Sequence, residues 1–258
     1  MPKAVATDDI QVAAVPARNG YQDAVHLFTQ KKGGVGKSTL AGWVAEYLKA
    51  KHGNVVCYDT DPSNQTLARL GALNVSTVNI IRRDEIDAGL FDPMIATIAE
   101  EAGPFVVDTG SSSFHALWSY VVATELFDFL QEHGRPVILH IPLAPKPDLD
   151  DTLAGFDEIC RHSPPRSVVA WMNERESPIE LDGVNFLDLD IARKNEEKLL
   201  GVVVNSKQHY RLHREQVERM LIRHWTFEEA IYQLDIRAKC YLFQVRKEIF
   251  EQLEQIGI

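Results

Sequence analysis

The 258-residue chain predicts an α/β protein: a mostly parallel sheet with helices on both faces and a helical C-terminal segment. Two observations carry that expectation. Short runs rich in β-branched residues alternate with amphipathic helical stretches, the pattern of crossover units around a doubly buried sheet. A glycine- and lysine-rich stretch, "QKKGGVGKST" from Gln30 to Thr39, stands directly between the first strand and the first helix. That is the position at which such sheets hold phosphate.

Taken in order, residues 1–22 show no helical or strand periodicity and contain Pro16, Asn19 and Gly20, so they read as a loosely ordered extension. Residues 23–258 read as one domain. "DAVHLFTQ" is the first strand and ends at Gln30. In "STLAGWVAEYLKAKHG", Leu40, Trp43, Val44, Tyr47 and Leu48 recur on one helix face, and Gly53 stands where a helix C-terminal glycine belongs. "NVVCYD" is a buried strand ending at Asp59, "TVNII" a further strand and "FDPMIATIAEEAG" a helix. "PFVVDTG" is a strand ending at Asp108, and "FHALWSYVVATELFDFLQEHG" one long helix closed by a glycine. "PVILHIPL" is a strand, "DLDDTLAGFDEICRH" a helix, and "RSVVAWMN" a strand ending at Asn173. The stretch from Glu174 to Asp190 reads as irregular loop. "KLLGVVVN" is the last strand, and two or three helices finish the chain.

Composition bounds the function. Hydrophobic residues make up 45% and charged residues 25%, as in ordinary globular proteins. No apolar run approaches the ~20 residues of a membrane helix. "MPKAVATDD" has no apolar core, so it is not a secretory signal, and a cytoplasmic protein is expected. Cys57, Cys160 and Cys240 are far apart and read as buried free thiols in a reducing compartment. The net charge of −10 counts against broad affinity for DNA or anionic lipid, though not against a local basic patch.

Three runs carry chemistry, each at the carboxyl end of a strand. The first is the loop of Gly33, Gly34, Val35 and Gly36. Its glycines let the backbone curl so that several N–H groups meet one phosphate, and the helix start adds its positive dipole end. Lys37 is placed to reach the terminal phosphates and the Ser38 hydroxyl to ligate Mg²⁺. The second is "YDTDPSNQT", in which Asp59 or Asp61 could orient a water; the alternative is a plain turn, since Asp-Pro and Ser-Asn form turns. The third is "FVVDTGSSS", an apolar strand ending in Asp108, a carboxylate suited to orient Mg²⁺. Gly110 beside it would allow close backbone approach.

These residues resemble a known family. "KKGGVGKST" fits the deviant Walker A pattern K-G-G-x-G-K-[ST] of the ParA/MinD ATPases. "DTDPSNQT" is similar to their first switch and "FVVDTG" to their Walker B strand. The runs "CYDTDPSNQTLARLGALNV", "VVDTGSSSFHALWSYV", "WMNERESPIELDGVNFLDL" and "WTFEEAI" resemble the TraL/StbB branch of plasmid conjugal transfer and stability proteins, from about Asp23 to the C-terminus. The resemblance implies a three-layer P-loop NTPase fold, ATP and Mg²⁺ as cofactors, slow partner-stimulated hydrolysis and an ATP-dependent homodimer. It implies that Lys32 reaches across the dimer to the partner's ATP. It also implies that Lys37 serves the site in its own chain, that Asp61 positions the attacking water, and that Ser38 and Asp108 serve the metal. Thr39 would touch the α-phosphate region, and Asn173 would hydrogen-bond adenine. One departure is that the last strand runs into Asn205 and Ser206 where the family has a proline loop.

The implied partners are plasmid transfer or stability proteins, with DNA reached directly or through one of them. A recruitment scaffold that binds ATP with negligible hydrolysis is an alternative from another class. The one locally basic stretch holds Lys207, Arg211, Arg214, Arg219 and Arg223; it reads as a solvated helix face or as a nucleic-acid contact. His209 and His213 sit four apart without a carboxylate motif between them. The last helix carries Glu248, Glu251 and Glu254 beside its apolar face, which favours packing on the domain over membrane insertion.

Overall fold

The computed structural model describes residues 21–258 apart from Asp84 and Glu176; of residues 207–214 it describes the backbone only. The expected extension falls almost wholly outside the described residues, as do the side chains of Lys207, His209, Arg211, His213 and Arg214.

The elements follow in chain order. They are β1 (Val25–Phe28), α1 (Lys37–His52), β2 (Val56–Asp59), β3 (Ser76–Thr77), β4 (Ile81–Arg82), β5 (Glu85–Ile86), α2 (Asp92–Glu100) and β6 (Phe105–Asp108). Then come α3 (Phe114–Ala123), α4 (Leu126–Glu132), β7 (Val137–Leu143), α5 (Leu149–Cys160), β8 (Val168–Asn173), β9 (Glu180–Leu181), β10 (Val184–Asn185) and α6 (Asp190–Lys194). β11 (Leu199–Asn205), α7 (Lys207–Ile222), α8 (Phe227–Gln233) and α9 (Ile236–Gln255) complete the chain.

Seven strands form one parallel sheet in the order β11-β8-β7-β1-β6-β2-β3. Because successive side chains along each strand point to opposite faces, the sheet builds two cores. Val25, Leu27, Phe105, Val107, Leu139 and Ile141 pack with α2 to α5 on one face. Phe28, Val106, Ile138, Val169, Trp171 and Val203 pack with α1 and α7 to α9 on the other. The result is three layers. Chain order reverses at β1, whose neighbours are β6 and β7, and a crevice for ligands opens at such a reversal.

Four expectations need correction. The long helix of residues 114–134 is two helices, because Glu125 takes a left-handed conformation (φ 49) between them. The break re-aims the chain so that Leu126, Phe127 and Leu130 are buried. "TVNII" is not one strand: pairing with β2 ends at Thr77, and Ile81 opens a separate hairpin, β4–β5. The irregular stretch after Asn173 contains the hairpin β9–β10, turned at Asp182 (φ 52) and Gly183 (φ 80). Positive φ at both turn positions is what a two-residue hairpin with right-handed strand twist requires. Cys57 and Cys160 are buried free thiols, but Cys240 is exposed.

Two buried polar groups tie elements to the central strands. Trp171 Nε1 donates to His140 Nδ1 at 2.9 Å, so neutral His140 carries its proton on Nε2 and donates to His26 Nδ1 at 2.9 Å. The three residues link β8, β7 and β1. Burial pushes His26 down to about 3 and His140 well below its usual value, so both stay neutral. Glu46 of α1 accepts from the first N–H groups of α8, Phe227 N at 2.7 Å and Glu228 N at 3.3 Å. Burial pushes its carboxyl up to about 7. Helix α9 packs through Val245, Ile249 and Leu253, all fully buried, as its apolar face predicts. Among the described residues no helix is long and apolar enough to cross a membrane. Arg219 and Arg223 are exposed on and just after α7.

Candidate nucleotide site

The glycine loop is held at both ends. At its front, Gln30 is fully buried and its amide donates to Pro142 O and Thr152 O, both at 3.1 Å, while its side-chain oxygen accepts from Lys31 N at 2.8 Å. The loop start is thereby fixed to β7 and α5. At its back, Gly36 caps α1 in a left-handed conformation (φ 94), which glycine adopts without strain. No side chain caps the first turn of α1 and no acidic residue lies in it. Its free N–H groups and dipole therefore face the crevice open to an anion.

The crevice is a cleft of about 450 Å³, within the ~300–1,000 Å³ range of small-molecule sites. Gly33, Gly34, Gly36, Lys37, Ser38 and Thr39 line one wall, and Asp61, Ser63, Asn64, Thr66, Thr109, Ser111 and Ser112 line the other. The structure thus brings the three chemical runs of the sequence to one place. The hydroxyl and amide groups of the second wall were not singled out from the sequence, although they lie inside the same quoted runs.

Lys37 is buried, and its Nζ donates to Lys32 O at 3.3 Å. Burial lowers its pKa, opposed by Asp108 and Asp61. Asp108 ends β6 and is fully buried, and neither of its carboxylate oxygens has a hydrogen bond of good geometry. Burial pushes it up to about 7; the Ser38 hydroxyl and Lys37 pull it down, while Asp59 and Asp61 push it further up. An orphaned buried carboxylate is costly unless something binds it. A hard cation beside Ser38 and Asp108 fits this donor set. Among the described residues no group of three or more metal-ligating side chains exists. Such a cation would take its remaining oxygens from phosphate and water, as Mg²⁺ does.

The two aspartates of "DTDP" have different jobs. Asp59 accepts from Asp61 N at 3.1 Å and Ala68 N at 3.0 Å, so it shapes the loop after β2. Asp61 projects into the cleft and accepts from Ser63 N at 2.8 Å and Asn64 N at 3.0 Å. Its carboxyl lies against Gly110, where a Cβ would come within 2.6 Å of it. Only glycine allows that approach.

Lys32 does not point at its own phosphate cleft. Its Nζ sits 2.8 Å from Asp148 and 2.8 Å from Asp151, at the start of α5. Hydrogen bonds to Asp148 and then Asp151 raise its pKa. Lys31 lies 3.4 Å from Glu158 on the same helix. Asn173 is buried outside the cleft, its amide nitrogen donating to Val35 O at 2.7 Å and its oxygen accepting from Asn205 at 2.7 Å.

Known proteins resemble this chain over most of its length. Residues 27–235 match the CobQ/CobB/MinD/ParA nucleotide binding domain. Two proteins of Escherichia coli, each called Protein TraL, are 32% and 31% identical over 237 residues, 91% of this chain and 98% of theirs. Among solved structures, the MinD cell division protein of Aquifex aeolicus aligns with a TM-score of 0.48 at 12% identity, covering 88% of this chain and 97% of that one. A structure of pNOB8 ParA bound to nonspecific DNA aligns with a TM-score of 0.32 at 13% identity, covering 90% and 98%.

Proposed function

This chain belongs to the CobQ/CobB/MinD/ParA nucleotide-binding family, and from that premise we propose that it is an ATP-dependent dimerisation switch with slow ATP hydrolysis, serving plasmid conjugal transfer, stability or positioning. The observation that carries the reading is the division of labour between the two loop lysines. Lys37 is buried against its own cleft, whereas Lys32 stands outside it on the surface acids of α5. A second subunit that brought its phosphates face to face would attract Lys32 from those acids, because a triphosphate offers more negative charge than two exposed carboxylates. The surface ion pairs themselves are weak restraints. Partner proteins of plasmid transfer or stability would read the resulting dimer.

Within one site, Lys37 and the N–H groups of the loop and of α1 bind the β- and γ-phosphates. Ser38 and Asp108 would hold Mg²⁺, which supplies neutralisation of phosphate charge when bound. Asp61 orients the attacking water, and Thr39 borders the α-phosphate. Asn173, which donates to Val35 O, would hydrogen-bond the adenine.

The reading separates the lysines experimentally. Lys32→Ala is expected to bind Mg²⁺·ATP within about threefold of the parent yet stay monomeric. The double variant Asp148→Asn/Asp151→Asn, which frees Lys32, is expected to dimerise at lower ATP concentration. Gel filtration with ATP, beside a fluorescent-nucleotide titration, measures both. A Lys32→Ala dimer with ATP would defeat the assignment of that lysine to the partner's site.

Affinity for Mg²⁺·ATP is also expected to depend on pH. Asp108 sits at about 7 and must lose its proton to serve a cation. Below that value binding must expel the proton, so affinity falls by up to about tenfold per pH unit and is level above roughly pH 8. Asp108→Asn should flatten the profile. Titration calorimetry from pH 6 to 8.5 checks it, and a pH-independent parent would refute the role of Asp108.

A further inference from the structure

Asn173 ends β8 and Asn205 ends β11, directly opposite one another in parallel register. Their side chains are joined, and both ends of the Asn173 amide are taken, one by Asn205 and the other by Val35 O. Each end of the amide keeps one further donor or acceptor, but the residue is only 2% exposed. Asn173 thereby holds the phosphate loop at Val35.

The next side chain outward is Arg175, which the mechanism above leaves without a task. It is partly buried and faces the same glycine: a Cβ on Gly36 would lie 2.7 Å from both Arg175 Nη2 and Asn173 Nδ2. Its Nε is buried with no hydrogen-bond partner, and among the described residues no ion pair involves it. A buried guanidinium nitrogen with no partner is costly to keep unless a ligand completes it. It does not line the cleft of Gly33 to Thr39 and Asp61, so the phosphates have their donors without it. It stands instead against the outer side of the loop, beside the asparagine pair.

We infer that Arg175 is a binding residue for the ribose–base half of the nucleotide. Its planar fork stacks on a purine face or donates to ribose and ring-nitrogen acceptors, neither of which an ammonium reproduces. Arg175 thereby supplies the recognition that the departure at Asn205 and Ser206 takes from the loop after β11. The inference rests on the nucleotide reading above and extends it to the base side.

Two ligands separate base contact from phosphate contact. The full chain, Arg175→Ala and Arg175→Lys are titrated with Mg²⁺·ATP and, separately, with Mg²⁺·tripolyphosphate. Both variants are expected to bind ATP roughly tenfold more weakly, the loss of about one stacked or bidentate contact, and tripolyphosphate within about twofold of the parent. Equal losses on the two ligands would mean that the guanidinium touches phosphate or merely props the loop, and would overturn the inference. No loss on either ligand would overturn it as well. Failure of the parent chain to bind either ligand would instead reject the nucleotide reading itself.

Discussion

Lys37→Ala is expected to abolish nucleotide binding at any practical concentration. Lys37 is the one loop lysine buried beside the cleft, and among the described residues its Nζ hydrogen-bonds only to the Lys32 carbonyl, at 3.3 Å. A bound triphosphate would replace that long contact with charge-assisted bonds worth ~1.5–3 kcal/mol each. Losing two of them weakens binding by roughly 10²–10⁴-fold. The substitution also strips Asp108 of its nearest cation, so that carboxyl moves further up and serves Mg²⁺ less well. Calorimetry should find no heat of binding and a phosphate-release assay no turnover. Turnover near that of the parent would refute the assigned role.

Asp61→Ala is expected to bind ATP, lose hydrolysis by at least ~100-fold, and accumulate as the dimer. Asp61 is the cleft carboxylate at the loop after β2, and its contact with Gly110 couples that loop to the one after β6. Because Asp61 also receives two backbone N–H bonds, alanine loosens the local turn by ~1–2 kcal/mol. Asp61→Asn keeps an acceptor for that turn and removes the negative charge. Both variants should therefore be inactive, and only the alanine variant should show reduced melting temperature. Hydrolysis by Asp61→Asn at the parental rate would remove Asp61 from the chemistry.

The parts of the site that were legible in the sequence are local. Gly33 to Thr39, the aspartates of "DTDP" and Asp108 each follow a strand within a few residues, and strand ends of a parallel sheet converge. The parts that were not legible are long-range. Lys32 and Asp151 are 119 residues apart, and nothing local to either predicts their pairing. The same holds for His26 and His140, 114 apart, and for Asn173 on the Val35 carbonyl. In the fold, α3 and α4 have continuous apolar periodicity, and only packing of Leu126 and Phe127 imposes the left-handed Glu125 that separates them. The β9–β10 hairpin was readable in principle, since Asp182-Gly183 is a strong turn signal; its two-residue strands are simply too short to register as periodic.

On the proposed reading, ATP and not the fold alone joins two copies of this chain. Light scattering on the purified parent protein, first without nucleotide and then with Mg²⁺·ATP or Mg²⁺·ADP, measures this directly. The expected result is the monomer mass without nucleotide and with ADP, a doubling with ATP, and a return to the monomer as ATP is consumed. A mass that is the same in all three conditions, whether monomer or dimer, would contradict it.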